Sequence, residues 1–257
     1  MEKDDPFLTF DWVFTDTSHK DAARFHALEA RPTETTVLQE LISADSIVNF
    51  ALWSELPRNH PVSELWLETQ TDLLASIYLA YGGFFRQALT ILRAWFEIAV
   101  HGVFFSAHYG HPTGRYERWR KGQRNASAKT NDLAEALAAR HDKLIPVDRV
   151  TIFEKINPVY AFLSHQTHAQ GLDIYDFQEG RDNVPRYLPK SYDIWFSHVL
   201  SAFDAVCFLY RLFFSPRIAD YFRKSASELQ RARELAGSLS ASVPELQALI
   251  SDALRHL

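Results

Sequence analysis

Six polar side chains recur at helical spacing in the largely apolar run between Phe84 and Tyr109: Arg86, Thr90, Arg93, Glu97, His101 and His108. They fall at steps of three, four and seven, which places them on one stripe if the segment is helical. Arg93 and Glu97 stand at i,i+4, as do Glu97 and His101. Charges on a central helix must be paired or must line a wet cleft, because the effective desolvation penalty is several kcal/mol per ion. Two chemistries follow. Arg86 and Arg93 could hold an anion while Glu97 and His101 set orientation or protonation. Alternatively, a buried Arg93–Glu97 pair could simply fix helix register.

A second cluster is Leu163-Ser164-His165-Gln166-Thr167-His168. Ser164 and His168 stand at i,i+4, and His165 and His168 at i,i+3. Histidines so placed can do acid–base work. Glu97, His101, His165 and His168 would supply four metal ligands if their helices faced one another. The Glu-x-x-His spacing of two-metal carboxylate bundles is missing, and no third member accompanies a Ser–His nucleophile pair. No motif calls for a cofactor. A third cluster, Arg115 to Arg124, holds five bases and one acid, with Tyr116 and Trp119 between them. Arg115, Arg118 and Arg120 suit a phosphate backbone, and Trp119 suits a stacked base.

The elements that must position these groups read as helices. Leu38, Leu41, Ile42, Val48, Leu52 and Leu56 share a face, and a proline-bounded break at 57–61 follows. Val62 to Tyr81 forms the next helix, which Gly82-Gly83 ends. Asn157-Pro158 reads as a kink or a restart, and Ser215-Pro216 as a restart. Asp148 and Ser191 read as N-caps, and Ser242 to Glu245 as a capping box. Residues 171–190 read as a long loop. The expectation is an all-α bundle of about eight helices. It comprises an extended N-terminal arm over 1–34, a core over 35–214 and a C-terminal helical hairpin over 215–257.

Composition bounds the alternatives. The chain has 257 residues, 47% of them apolar, and a net charge of −5, which excludes a disordered chain. A single cysteine excludes a disulfide framework. The acidic N-terminus has no apolar signal region, and no long apolar stretch is free of charge, so the expectation is a cytoplasmic protein that does not enter a membrane. Residues 1–80 carry 14 acids and 5 bases, whereas 81–257 carry 18 acids and 22 bases. Aromatic residues make up 14% of the chain and crowd two segments, around Trp95 and around Phe208, where they read as core and subunit contacts of a homodimer.

The pattern Tyr81-Gly82-Gly83-Phe84, then Leu92-Arg93 with Glu97, followed later by Leu163-Ser164 with His168, resembles helical bacterial proteins of the HEPN-like type. The resemblance spans about residues 60–214. It implies a helical bundle, a dimer, and a place in a toxin or antiviral defence system, either as an RNA- or nucleotide-binding partner or as a metal-independent ribonuclease. In the ribonuclease case Arg93, Glu97, His165 and His168 would be the catalytic candidates. Arg86, His101, Ser164, Arg115, Arg118, Trp119 and Arg120 would bind ligand. The family's catalytic pattern has four to six residues between an arginine and a histidine; here Arg93 and His101 are separated by seven.

Overall fold

Apolar side chains at helical spacing build ten helices among the described residues of the computed structural model, which are 18–54, 62–107, 114–123, 126–140, 149–167 and 186–257. They are α1 (Ser18–Ala30), α2 (Pro32–Ser54), α3 (Ser63–Tyr81), α4 (Phe85–Ala107), α5 (Gly114–Arg120), α6 (Thr130–Arg140), α7 (Arg149–Thr167), α8 (Pro189–Lys224), α9 (Ala226–Ser238) and α10 (Pro244–Arg255). The fold is all-α, with no strand among the described residues. The aromatic Phe7–Phe14 segment, His108, Asp148, His168 and most of the 171–190 loop lie outside the described residues.

α4 packs on α3, α7 and α8, as its apolar sequence requires. Trp95, Phe96, Trp195 and Phe203 are fully buried, and the Trp95 and Phe203 rings stack 6.1 Å apart. Removing side chains of this size from water contributes roughly 1.5–3 kcal/mol each. α3 and α4 approach closely at Gly102, where a Cβ would meet the Trp66 ring at 2.9 Å. A buried polar link ties three helices together: the Trp195 indole donates to Ser76 Oγ at 3.1 Å, and Ser76 donates to the Ala88 carbonyl at 2.8 Å. Gly83 takes φ +81°, and the Arg186 backbone lies 2.6 Å from where its Cβ would stand. Only glycine fits both that dihedral and that contact.

Three expectations are corrected by the packing. Ser18–Ala30 is helical, although 1–34 reads as an arm, because its buried positions include alanines, Ala23 and Ala27, which carry little apolar signal. α7 and α8 run straight through Pro158 and Pro216. Both prolines are exposed, so their rings sit on the outer face of each helix, and the buried neighbours Val159, Ser215 and Arg217 hold the helix in place around them. α8 starts at Pro189, before Ser191, and α10 has Val243 at its N-cap with no side-chain cap. Its first turn is capped from another helix, by Asp204 accepting the Glu245 N–H at 2.9 Å.

The C-terminal pair α9–α10 packs back on α8 and α2. Charges fasten it. Lys155 on α7 reaches Asp204 (3.4 Å) and Glu245 (3.2 Å), and Arg211 reaches Glu245 (2.9 Å) and Asp252 (3.6 Å). At the other end of α8, Arg31 donates to Tyr187 Oη at 2.8 Å and pairs with Asp193 at 2.7 Å, which anchors the α1–α2 turn. Phe85–Ser106 and Pro189–Lys224 are long and apolar enough to cross a membrane by length and composition. Their most apolar windows are 67% and 72% buried within this fold, as core helices are.

Candidate functional site

The polar stripe of α4 changes character along its length. Thr90 is exposed, Arg86, Arg93 and Glu97 are half-buried, and His101 is buried. Arg93 Nε donates to Glu97 Oε1 at 2.8 Å, and the guanidinium lies 5.6 Å from the centroid of the Tyr160 ring on α7. Burial opposes the Arg93 charge, but the Glu97 carboxylate and Tyr160 outweigh it and raise its pKa. Arg86 sits seven residues earlier, about 10 Å away along the helix axis by the 1.5 Å rise per residue.

From Glu97 onward the stripe faces a cavity of about 250 Å³ between α4, α7 and the start of α6. Glu97, His101, Lys129, Thr130, Asn157 and Tyr160 bring polar groups to its wall. Neither Ser164, one turn beyond Tyr160, nor the exposed His165 lines it. α4 and α7 therefore pack together, but Asn157 and Tyr160, not Ser164 or His165, supply the α7 side of the cavity.

His101 is held at both ring nitrogens. The Ala128 backbone N–H donates to Nε2 at 3.1 Å, so Nε2 is an acceptor and Nδ1 carries the proton that it gives to the Glu97 carbonyl. Burial lowers its pKa, with the nearby Arg115 charge acting the same way. The ring is a neutral wall of the cavity and is not placed to shuttle protons. It stacks on Trp119 with centroids 4.9 Å apart.

That stacking also fixes the fate of the 115–124 cluster. Tyr116 is buried, and Trp119 is half-buried against His101 and Phe105, so both rings are used internally. Arg115 donates to the carbonyls of Ala126 (3.1 Å) and Ser127 (2.7 Å), pairs with Asp132 (2.7 Å), and lies 4.9 Å from the Phe104 centroid. It positions the segment that carries Ala128, Lys129 and Thr130 to the cavity. Asp132 also accepts the Lys129 N–H at 2.8 Å. Burial pushes the Asp132 carboxyl up, but these partners more than reverse that and hold it below its ordinary value. Arg118 and Arg120 are exposed on the outer side of α5. Among the described residues, no group of three His, Cys, Asp or Glu side chains is gathered for a metal ion.

Lys129, Thr130, Asn157 and Tyr160 are cavity residues that sequence reasoning missed. They come as two short pairs, Lys129-Thr130 and Asn157 with Tyr160 at i,i+3, on elements other than the stripe, and nothing in the sequence ties those pairs to it. No family model matches the chain, nor does any curated protein or solved structure.

Proposed function

We propose that the protein is a binding module that holds a phosphate-bearing ligand, an RNA or a nucleotide, at the α4–α6–α7 cavity. The observation that carries this reading is the convergence of the α4 stripe and the first turn of α6 on one cavity, with Arg93 and Lys129 beside it. On the wall itself Glu97 and Lys129 offset each other, and Arg93, bonded to Glu97 and set against the Tyr160 ring, adds one positive charge next to it. At about 250 Å³ the cavity falls below the roughly 300–1,000 Å³ of drug-sized sites, so it suits a phosphate or sugar-phosphate end, with the rest of the ligand outside. The exposed Arg118 and Arg120 on α5, whose Trp119 packs on the cavity wall, extend the cationic surface that such a ligand would follow.

The ribonuclease reading gains nothing from His101, whose ring is committed at both nitrogens. A role in a toxin or defence system, and the homodimer that accompanies it, belong to the same proposal; sedimentation equilibrium against the 29.6 kDa chain mass reads the dimer. The test of ligand class is fluorescence anisotropy with a labelled single-stranded RNA, in competition with unlabelled nucleotide, at several salt concentrations. Lys129→Glu should weaken binding by about tenfold, equivalent to ~1.4 kcal/mol. It should also lower the salt slope by about one or two, because a charge is reversed. Binding that is absent, or indifferent to Lys129→Glu and Arg93→Gln, overturns the reading. RNA cleavage that is lost in Arg93→Gln would replace it with the ribonuclease.

A further inference from the structure

We propose a second ligand site, on the opposite side of α3 in sequence terms, that takes a straight-chain carboxylate amphiphile. A cavity of about 430 Å³ opens between α1, α2, α3 and the turn at Gly82–Phe84. Its volume lies within the roughly 300–1,000 Å³ usual for small-molecule sites. The walls are apolar: Leu38 is buried beneath it, with Ile42, Leu74 and Ile77 around it.

Two observations specify the ligand. First, apolar surface is left uncovered at the cavity, with Leu28 40%, Leu74 44% and Tyr78 63% exposed. A hydrocarbon chain would cover it, at roughly 25 cal/mol per Å². Second, the rim contributed by α1 is charged: Lys20 and Arg24 stand one turn apart, with Asp21 between them, for a net charge of +1. The polar end of the ligand is therefore anionic.

The dimensions agree with an extended chain. The lining residues of α1 run from Lys20 to Leu28, about 12 Å along the helix by the rise of about 1.5 Å per residue. Past that end stand Thr35 and Tyr81, whose hydroxyls bond each other at 2.7 Å, while Tyr81 Oη also meets Tyr192 Oη at 3.2 Å. Their polar groups are satisfied among themselves, so that end closes the slot without demanding a second charged group. The anionic head belongs at Lys20 and Arg24, and the tail runs toward Tyr81. This site shares no lining residue with the α4–α6–α7 cavity.

The test is isothermal titration of the full chain with decanoate, decanol and decyltrimethylammonium, all below their micelle concentrations. Decanoate should bind with unit stoichiometry and more tightly than the cation. The double variant Lys20→Glu with Arg24→Glu should weaken decanoate by about tenfold or more and leave decanol within about twofold, a head-group effect of ~1.4 kcal/mol or more. Ile77→Trp, which fills the slot, should abolish both while circular dichroism remains helical. If that variant does not fold, Ile42→Phe provides the same block with less added volume. Lys129→Glu should leave decanoate unchanged, which separates this site from the phosphate site. Equal binding of the three head groups, binding that appears only with micelles, or undiminished binding in a folded slot-filled variant would overturn the proposal. So would a change in oligomeric mass in Leu74→Arg with decanoate affinity intact, because the uncovered apolar surface would then be a protein contact.

Discussion

Two groups of charges in this protein use the same residue types to opposite ends. Arg93 and Glu97 belong to one helix and stand at i,i+4, and Glu97 lines a cavity. Lys155, Asp204, Arg211, Glu245 and Asp252 come from α7, α8 and α10, and they meet one another across the gaps between those helices. A pair confined to one helix cannot by itself set the register of two. The second group can, and it docks the C-terminal helices on the bundle. Of the Arg93–Glu97 pair, only Arg93 reaches across a helix gap, to the face of Tyr160. The network thus fastens α7, α8 and α10 to one another, whereas the α4 pair stands at the α4–α7 cavity, away from that network.

A charge with no ion-pair partner sets the upper end of this comparison. Asp45 on α2 is 2% exposed, with one carboxylate oxygen unpartnered, and burial raises its pKa from 3.8 to about 7. The folded state keeps this proton up to about pH 7, whereas the unfolded chain releases it near 3.8. Stability should therefore fall as pH rises between these values and level off above, by up to ~4 kcal/mol. Asp45→Asn should remove that slope in urea titrations run at stepped pH. His101 acts in the opposite direction. Its folded pKa lies below 6.5, so the unfolded chain takes up the proton first and stability falls as pH drops through that range. The slope that remains in Asp45→Asn should carry that sign.

The interhelical network comes next. Glu245→Ala removes the carboxylate that Lys155 and Arg211 share and leaves them only Asp204 and Asp252, and it should cost about 2 kcal/mol in urea unfolding. A loss below about 1 kcal/mol would erase the distinction drawn between the two groups.

The α4 pair should contribute far less to stability. A double-mutant cycle of Arg93→Ala and Glu97→Ala should give a coupling of about 0.5 kcal/mol, as for other i,i+4 pairs. A coupling of 2 kcal/mol or more, in line with the ~3–5 kcal/mol cost of breaking a buried pair, would make it structural after all. The smallest effect belongs to Arg118→Ala with Arg120→Ala. Both side chains are exposed, so Tm should hold while RNA affinity and its salt slope decline.

What was legible in the chain follows from range. The helical class and the burial of α4 come from neighbours three and four residues apart, and so does the polar stripe. The Arg93–Glu97 contact is local and could be named from spacing alone. The network at Glu245 could not, because Asp204 and Lys155 stand 41 and 90 residues away from it in sequence. Glu245 instead read as half of a local capping box. Pro158 and Pro216 misled for a related reason: the lost hydrogen bond and the ring clash of a helix proline can be offset by packing, and packing is decided by the fold. Trp119 reads as a base-stacking ring until its burial against His101 is seen.

The glycine turn after α3 has a consequence for how the molecule comes apart. Arg186 presses its backbone on Gly83 across a separation of 103 residues. Such a contact requires a very large loop to close and so forms late on the way to the native state. A residue whose contacts appear only after the barrier changes the rate of unfolding and leaves the rate of folding alone. Gly83→Ala should accordingly shorten the lifetime of the folded protein without slowing its formation, and the segment leading into α8 should be the first to let go.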